Sequence, residues 1–229
     1  FGSYFKEEAI FYALDFLVNV LNLSPSKLCV SVFKNDIETA NIWRKRIKLH
    51  SNQLILRGVG DNFWFMGNIG LCGPCTEIYY DRGTNFLGNE RFIELWNIVF
   101  LEFNKLSDRQ FIKLNKPCVD TGLGLERVAS VLSNVFDNYE LSVFKDIVVF
   151  LNKISRCVGF LNSKKVISDH IRACVFLISF DLYPGNSGCG YVLRRIIRRA
   201  MYHGKKIGII KSFLYKLVPI VIFNMKEFY

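Results

Sequence analysis

Apolar residues recur three and four positions apart through SYFKEEAIFYALDFLVNVLN (residues 3–22), the spacing that lines one stripe of a helix, so the chain is predicted to open on a helix. KLCVSVF (27–33) changes the period, crowding apolar and β-branched residues together as a strand does. NDIETANIWRKRIK (35–48) returns to helical spacing, with Asn35 as the expected N-cap and Glu38 three residues on, a capping-box pattern. The first sixty residues thus read as α/β. Strand patterns dominate from Asn62 to Asp120, in NFWFM, TEIYYD, RFIELWNIVFLEFN and KPCVD. After Gly122 helical spacing takes over, in GLERVASVLSNVF, ELSVFKDIVVFLNKIS, KKVISDHIRACVFLISF, GYVLRRIIRRAMYHG and the final apolar segment. Strands followed by a run of helices predict an α+β chain with a separate helical domain, divided as residues 1–136 and 137–229.

With 229 residues and 51% hydrophobic content the chain can bury a full core, which excludes a disordered tail. Its apolar runs IVVFLNKI, ACVFLISF and YKLVPIVIF are broken by charge or too short to cross a bilayer, so no membrane partner is expected. Seven cysteines without framework spacing fit a reducing compartment, the cytoplasm or an organelle matrix. The opening residues show neither a basic leader nor an initiator Met, which predicts a piece of a longer protein. The net charge of +10 favours a polyanionic partner, although an AT-rich genome would also raise Lys content.

Cys72 and Cys75 have the spacing of half a zinc site, but no second pair follows at zinc-site spacing, so no zinc is expected. A redox role fits no better, because Gly73-Pro74 leads into TEIYYD rather than a helix; two buried thiols in a Gly-Pro turn is the preferred reading. On the strand FIELWNIVFLEFN, alternation puts Leu95, Asn97 and Val99 on one face and Glu94, Trp96 and Glu102 on the other. Asn97 then needs hydrogen-bond partners, from the protein or from a ligand. VDTGLGLER joins a strand to a helix through Gly122 and Gly124, with Asp120 before the turn and Arg127 after it. These charges can hold a zwitterion or a nucleotide phosphate, or form an ordinary ion pair at the helix start. On a helical wheel Arg194, Arg195, Arg198 and Arg199 fall within an arc of about 140° opposite an aliphatic face, with no acid among them. Lys205 and Lys206 extend that arc, which favours phosphate contact over a merely solvated face.

FGSYFK, DNFWFMG, CGPCTEIYYDRG, LWNIVFLEFN, KPCVDTGLGLERVASVL, VISDHIRACVFLI and GYVLRRIIRRAMYHGKKIG together resemble, in order and over nearly the whole chain, the catalytic part of the alanyl-tRNA synthetases, a family of class II aminoacyl-tRNA synthetases. The resemblance implies a class II antiparallel sheet with flanking helices, incomplete at its N-terminus, over residues 1–136, and an incomplete helical domain recognising the tRNA acceptor stem over 137–229. It implies that Trp64 and Val99 shape a pocket for the alanine methyl, that Asp120 pairs with the substrate ammonium, and that Asn97 adds a hydrogen bond near the carboxylate. Gly122, Gly124 and Arg127 would admit and hold ATP, with magnesium accompanying the nucleotide and Glu102 as a candidate ligand. Asn186 would read the wobble pair of tRNA(Ala), with Arg194, Arg195, Arg198 and Arg199 on the acceptor-stem backbone.

The implied function is alanine–tRNA ligase: activation of alanine by ATP, then transfer to tRNA. The departures bear on it. Counterparts of motif 1, and of the front of motif 2 with its ATP-binding arginine, would precede Phe1, and the family's editing and C-terminal domains are not in this chain. Ile69 and Leu71 replace the family's usual Thr and Pro, and Cys189 stands where an Arg is usual. The alternative is a non-catalytic tRNA-binding remnant; the enzyme reading requires the remainder of the synthetase as part of the same protein or as a partner.

Overall fold

The computed structural model describes residues 1–84, 91–157 and 159–229, in two compact units, Phe1–Leu132 and Ser133–Tyr229. The first unit is built on a six-stranded sheet. Its strands are β1 (Leu28–Phe33), β2 (Leu54–Arg57), β3 (Phe63–Phe65), β4 (Gly70–Asp81), β5 (Phe92–Ser107) and β6 (Gln110–Leu123). They run in the order β2-β1-β4-β5-β6 with β3 also on β4, every pair antiparallel except β1 with β2. Helices α1 (Lys6–Asp15), α2 (Ile37–Asn41), α3 (Val59–Asn62) and α4 (Leu125–Leu132) belong to the same unit, with short 3-10 and π-helical turns between elements. The sheet is thus mixed rather than wholly antiparallel, because β2 returns beside β1 after a helical crossover, the connection a parallel pair requires.

One face of the sheet carries the main core. Ala9, Ile10 and Ala13 of α1 and Val128 of α4 pack there with Val30, Val32, Ile78, Ile98, Phe100 and Val119. Trp43 is sealed in this core and donates to Thr76 Oγ1 at 3.0 Å. The opposite face carries a smaller cluster of Cys75, Val99 and Leu101, with Trp64, Leu71, Leu114 and Cys118 against it.

Several local expectations are corrected. α2 is capped by Asp36, not Asn35: the Asp36 carboxylate accepts from Thr39 N–H at 3.1 Å and from the Thr39 hydroxyl at 2.7 Å. Gly73-Pro74 is no turn but part of β4, where the ladder to β5 shifts register between Cys72 and Cys75. A Cβ on Gly73 would lie 1.8 Å from the Phe100 carbonyl oxygen, so the two backbones touch where only glycine fits. A second shift, opposite Ile78 and Tyr79, leaves Leu95 without a partner on β4, and Leu95 turns into the main core with Ile98 and Phe100 rather than sharing the face of Asn97 and Val99. Glu102 is paired with buried Lys6 at 2.8 Å, in a network with Asp36 at 2.9 Å, so holding magnesium would require it to leave Lys6.

In the second unit α5 (Ser142–Ile154), α6 (Leu161–Ser179), α7 (Gly188–Lys206) and α8 (Leu214–Met225) surround a core of Ile147, Leu151, Ile167, Ile171, Ile207, Phe213, Leu217 and Val221. The α7 backbone presses onto Phe213, whose ring would meet a Cβ on Gly204 at 2.4 Å.

Candidate functional site

The strand register assembles the predicted alanine site. Val99 of β5 lies directly opposite Asp120 of β6, Asn97 opposite Gly122, and Cys75 of β4 opposite Val99. Because Val119 is in the main core, alternation sends Asp120 and Cys118 to the other face, where Cys118 meets Val99 and Trp64 in the smaller cluster. Trp64, Asn97, Val99 and Asp120 are therefore brought to one face. Asp120 is exposed; its Oδ1 accepts from Thr121 N–H at 2.9 Å, and among the described residues it forms no ion pair. An apolar patch ending in a carboxylate that lacks a cation suits a small molecule with a methyl and an ammonium group.

The two glycines of the turn differ from each other, and only Gly124 departs from expectation. Gly122 borders open space: a Cβ added there would meet nothing within 4 Å, so its bare backbone is accessible to a ligand. Gly124 instead makes room for Arg127, whose Cδ would come within 3.0 Å of a Cβ there. Arg127 does not pair with Asp120; its guanidinium donates to the Glu94 carboxylate at 2.9 Å and the Glu94 carbonyl at 3.0 Å.

Around Cys75 lies a polar set that pattern reading missed. Glu77 Oε2 accepts from Ser31 Oγ at 3.0 Å and from the Tyr79 hydroxyl, and Glu77 Oε1 accepts from Asn97 Nδ2 at 3.4 Å. Asn62 Nδ2 donates to the Cys75 carbonyl at 3.3 Å. Burial, reinforced by Glu77, pushes the Cys75 thiol up to about 12, and burial with the hydrogen bond to Glu77 raises Tyr79. Arg57 Nε, Asn62 Oδ1 and Asn97 Oδ1 are buried without a hydrogen-bond partner among the described residues. The alternation Cys75-Glu77-Tyr79 was the available signal, obscured by reading Gly73-Pro74 as a break. Among the described residues no group of three or more His, Cys, Asp or Glu is placed to hold a metal ion, and no helix is long and apolar enough to cross a membrane.

In the helical unit Asn186 is exposed just before α7, and its Oδ1 accepts from Arg194. The loop that carries it closes on the helix through Gly185 N–H to the Gly190 carbonyl at 2.9 Å, an approach that a Cβ on Gly190 would block at 2.7 Å from the Tyr183 carbonyl. Arg194, Arg195, Arg198 and Arg199 are all solvent-accessible, while Leu193 and Ala200 are buried. None of the four takes part in the ion pairs found among the described residues.

Fold and site together define a class: residues 1–229 match the family described as tRNA synthetases class II (A), and the chain belongs to it. Its relatives within the family narrow the resemblance further. It is 45% identical over 239 residues to the alanine–tRNA ligase of Francisella tularensis subsp. tularensis and 46% identical over 250 residues to that of Buchnera aphidicola subsp. Baizongia pistaciae, all of this chain being covered in both. The alanine–tRNA ligase of Shewanella amazonensis is 45% identical over 99% of the chain. The chain spans 28% of the length of each of these relatives.

Proposed function

We propose that the chain is the part of an alanine–tRNA ligase that holds alanine and meets the acceptor stem of tRNA(Ala), in a protein that forms alanyl-adenylate from alanine and ATP and transfers the acyl group to tRNA in the cytoplasm or an organelle matrix. The observation that carries this reading is the placement of an unpaired Asp120 beside Val99 and Trp64, in a chain whose relatives are alanine–tRNA ligases. Alanine lies with its methyl on Trp64 and Val99 and its ammonium at Asp120. A larger side chain would collide with the strand-packed Val99, and a substrate without an ammonium would leave Asp120 unmatched.

The Gly122 backbone and Arg127 take the nucleotide, Arg127 exchanging Glu94 for a phosphate. Adenylate formation needs little covalent help from protein groups, so holding the alanine carboxylate and the α-phosphate in line, with positive charge nearby, supplies most of the rate. Magnesium would accompany the nucleotide, as an ion held chiefly by phosphate oxygens with one or two carboxylates; among the described residues no group of three or more His, Cys, Asp or Glu is placed to hold a metal by itself. Asn186 reads the acceptor stem, while the solvent-accessible α7 arginines contact its phosphates. The test is amino-acid-dependent pyrophosphate exchange by the full-length protein. Stimulation by alanine well above serine or larger amino acids is expected; no exchange with alanine, alongside retained tRNA binding, would favour a non-catalytic tRNA-binding protein.

A further inference from the structure

Glu77 lies on the same sheet face as Val99 and Asp120, at the centre of the polar set beneath the site, and nothing in the alanine reading uses it. It meets three donors: the Ser31 hydroxyl at 3.0 Å, the Tyr79 hydroxyl, and Asn97 Nδ2 at 3.4 Å. A carboxylate only accepts, so it fixes which end of the Asn97 amide it faces: the nitrogen turns to Glu77 and the oxygen turns away. That oxygen, Oδ1, is buried and has no donor among the described residues. Such an atom is relieved by a ligand that brings a donor and made worse by one that brings another oxygen. Asn97 pairs with Gly122, two residues from Asp120 along β6, so the two side chains are diagonal neighbours across the ladder, within reach of one small ligand.

We infer that Glu77 is a positioning residue that locks the Asn97 amide so that Oδ1, together with Asp120, receives the substrate ammonium. This rests on the alanine reading of the site and changes one role within it: Asn97 serves the ammonium and not, as the family resemblance implied, the carboxylate. An ammonium has three donors and no acceptor, which suits a carboxylate and an amide oxygen converging on it.

Glu77→Gln tests the assignment. Glutamine supplies one oxygen for three donors; with Ser31 and Tyr79 on that oxygen, its amide nitrogen faces Asn97 and turns Oδ1 away from the substrate. In the full-length protein, inhibition of alanine-dependent pyrophosphate exchange is measured with alaninol, which keeps the ammonium and lacks the carboxylate, and with lactate, which does the reverse. Glu77→Gln is expected to weaken alaninol and raise the KM for alanine by about tenfold, with lactate inhibition changed less than twofold. Glu77→Asp, still only an acceptor, should recover part of the loss. Weakened lactate with unchanged alaninol, equal losses of both, or no loss of either would overturn the proposal. Asp120→Asn separates the two levels: if that variant leaves exchange intact, the alanine reading itself fails, whereas crippled exchange with alaninol unaffected by Glu77→Gln removes only the positioning role.

Discussion

Replacing Lys6 by Met should destabilise the sheet unit more than any loss of packing would suggest. Lys6 Nζ is 2.9 Å from Asp36, 2.8 Å from Glu102 and 3.2 Å from exposed Glu38, and the residue retains only 5% of its accessible surface. It also lies 5.7 Å and 5.5 Å from the ring centroids of Phe5 and Phe100. Methionine fills the volume but leaves two largely buried carboxylates facing each other without a cation, a change that typically costs about 3–5 kcal/mol. For a unit of this size that corresponds to a fall in Tm of about 10–15 °C. All three tryptophans, Trp43, Trp64 and Trp96, lie in this unit, so their fluorescence during urea and thermal unfolding follows it selectively. The penalty should shrink between pH 8 and pH 4.5, since the stranded carboxylates can take up protons. In the unsubstituted chain burial alone would lower the Lys6 pKa, but its hydrogen bonds to Glu102 and Asp36 outweigh it and hold the group above its ordinary 10.5. A raised amine contributes stability that is full below the unfolded value and fades only as pH climbs through the folded one, so on the alkaline side the contribution of Lys6 should fade only above about pH 10.5. A loss under about 1 kcal/mol, or one independent of pH, would refute the reasoning.

Two further outcomes are expected. A neutral alkylating reagent at pH 8 should modify exposed Cys189 rapidly and spare Cys72 and Cys75, both sealed in the sheet with Cys75 pushed up to about 12; equal rates, read by peptide mass mapping, would contradict their burial. Replacing Arg195 and Arg198 together should flatten the dependence of tRNA affinity on salt by about one to two units of log K per log salt, whereas Asn186→Ala should mainly reduce discrimination between cognate and altered acceptor stems, with a smaller change in slope from releasing Arg194.

The sequence pattern carried the elements whose signal is local. The α1 stripe, the strand from Leu28 to Phe33, the long β5 strand and the arginine face of α7 all follow from residues a few positions apart. What escaped it depended on partners elsewhere in the chain. β2 is four residues with two of them exposed, and only its pairing with β1 makes it a strand. Gly73 and Pro74 signal a break locally, yet the close approach of Phe100 makes them strand residues. Leu95 changes face because of a register shift that no alternation pattern reveals. Within the site, Trp64, Val99 and Asp120 were named through resemblance, and their convergence follows from the ladder; the contacts of Glu77 and Asn62 are made to other elements, and the pairing of Glu102 with Lys6, 96 residues earlier, leaves no local pattern.

The most direct test of the alanine site is Asp120→Asn in the full-length protein, followed by alanine-dependent pyrophosphate exchange. Asparagine keeps the size and loses the charge that matches the substrate ammonium; Asp120 is exposed in the free chain, and once bound alanine shields the pair the loss is about 2–4 kcal/mol. The expected result is a fall in kcat/KM for alanine of roughly 30- to 1000-fold, with tRNA affinity and Tm essentially unchanged. Exchange that continues at the unsubstituted rate would contradict the placement of alanine between Trp64, Val99 and Asp120.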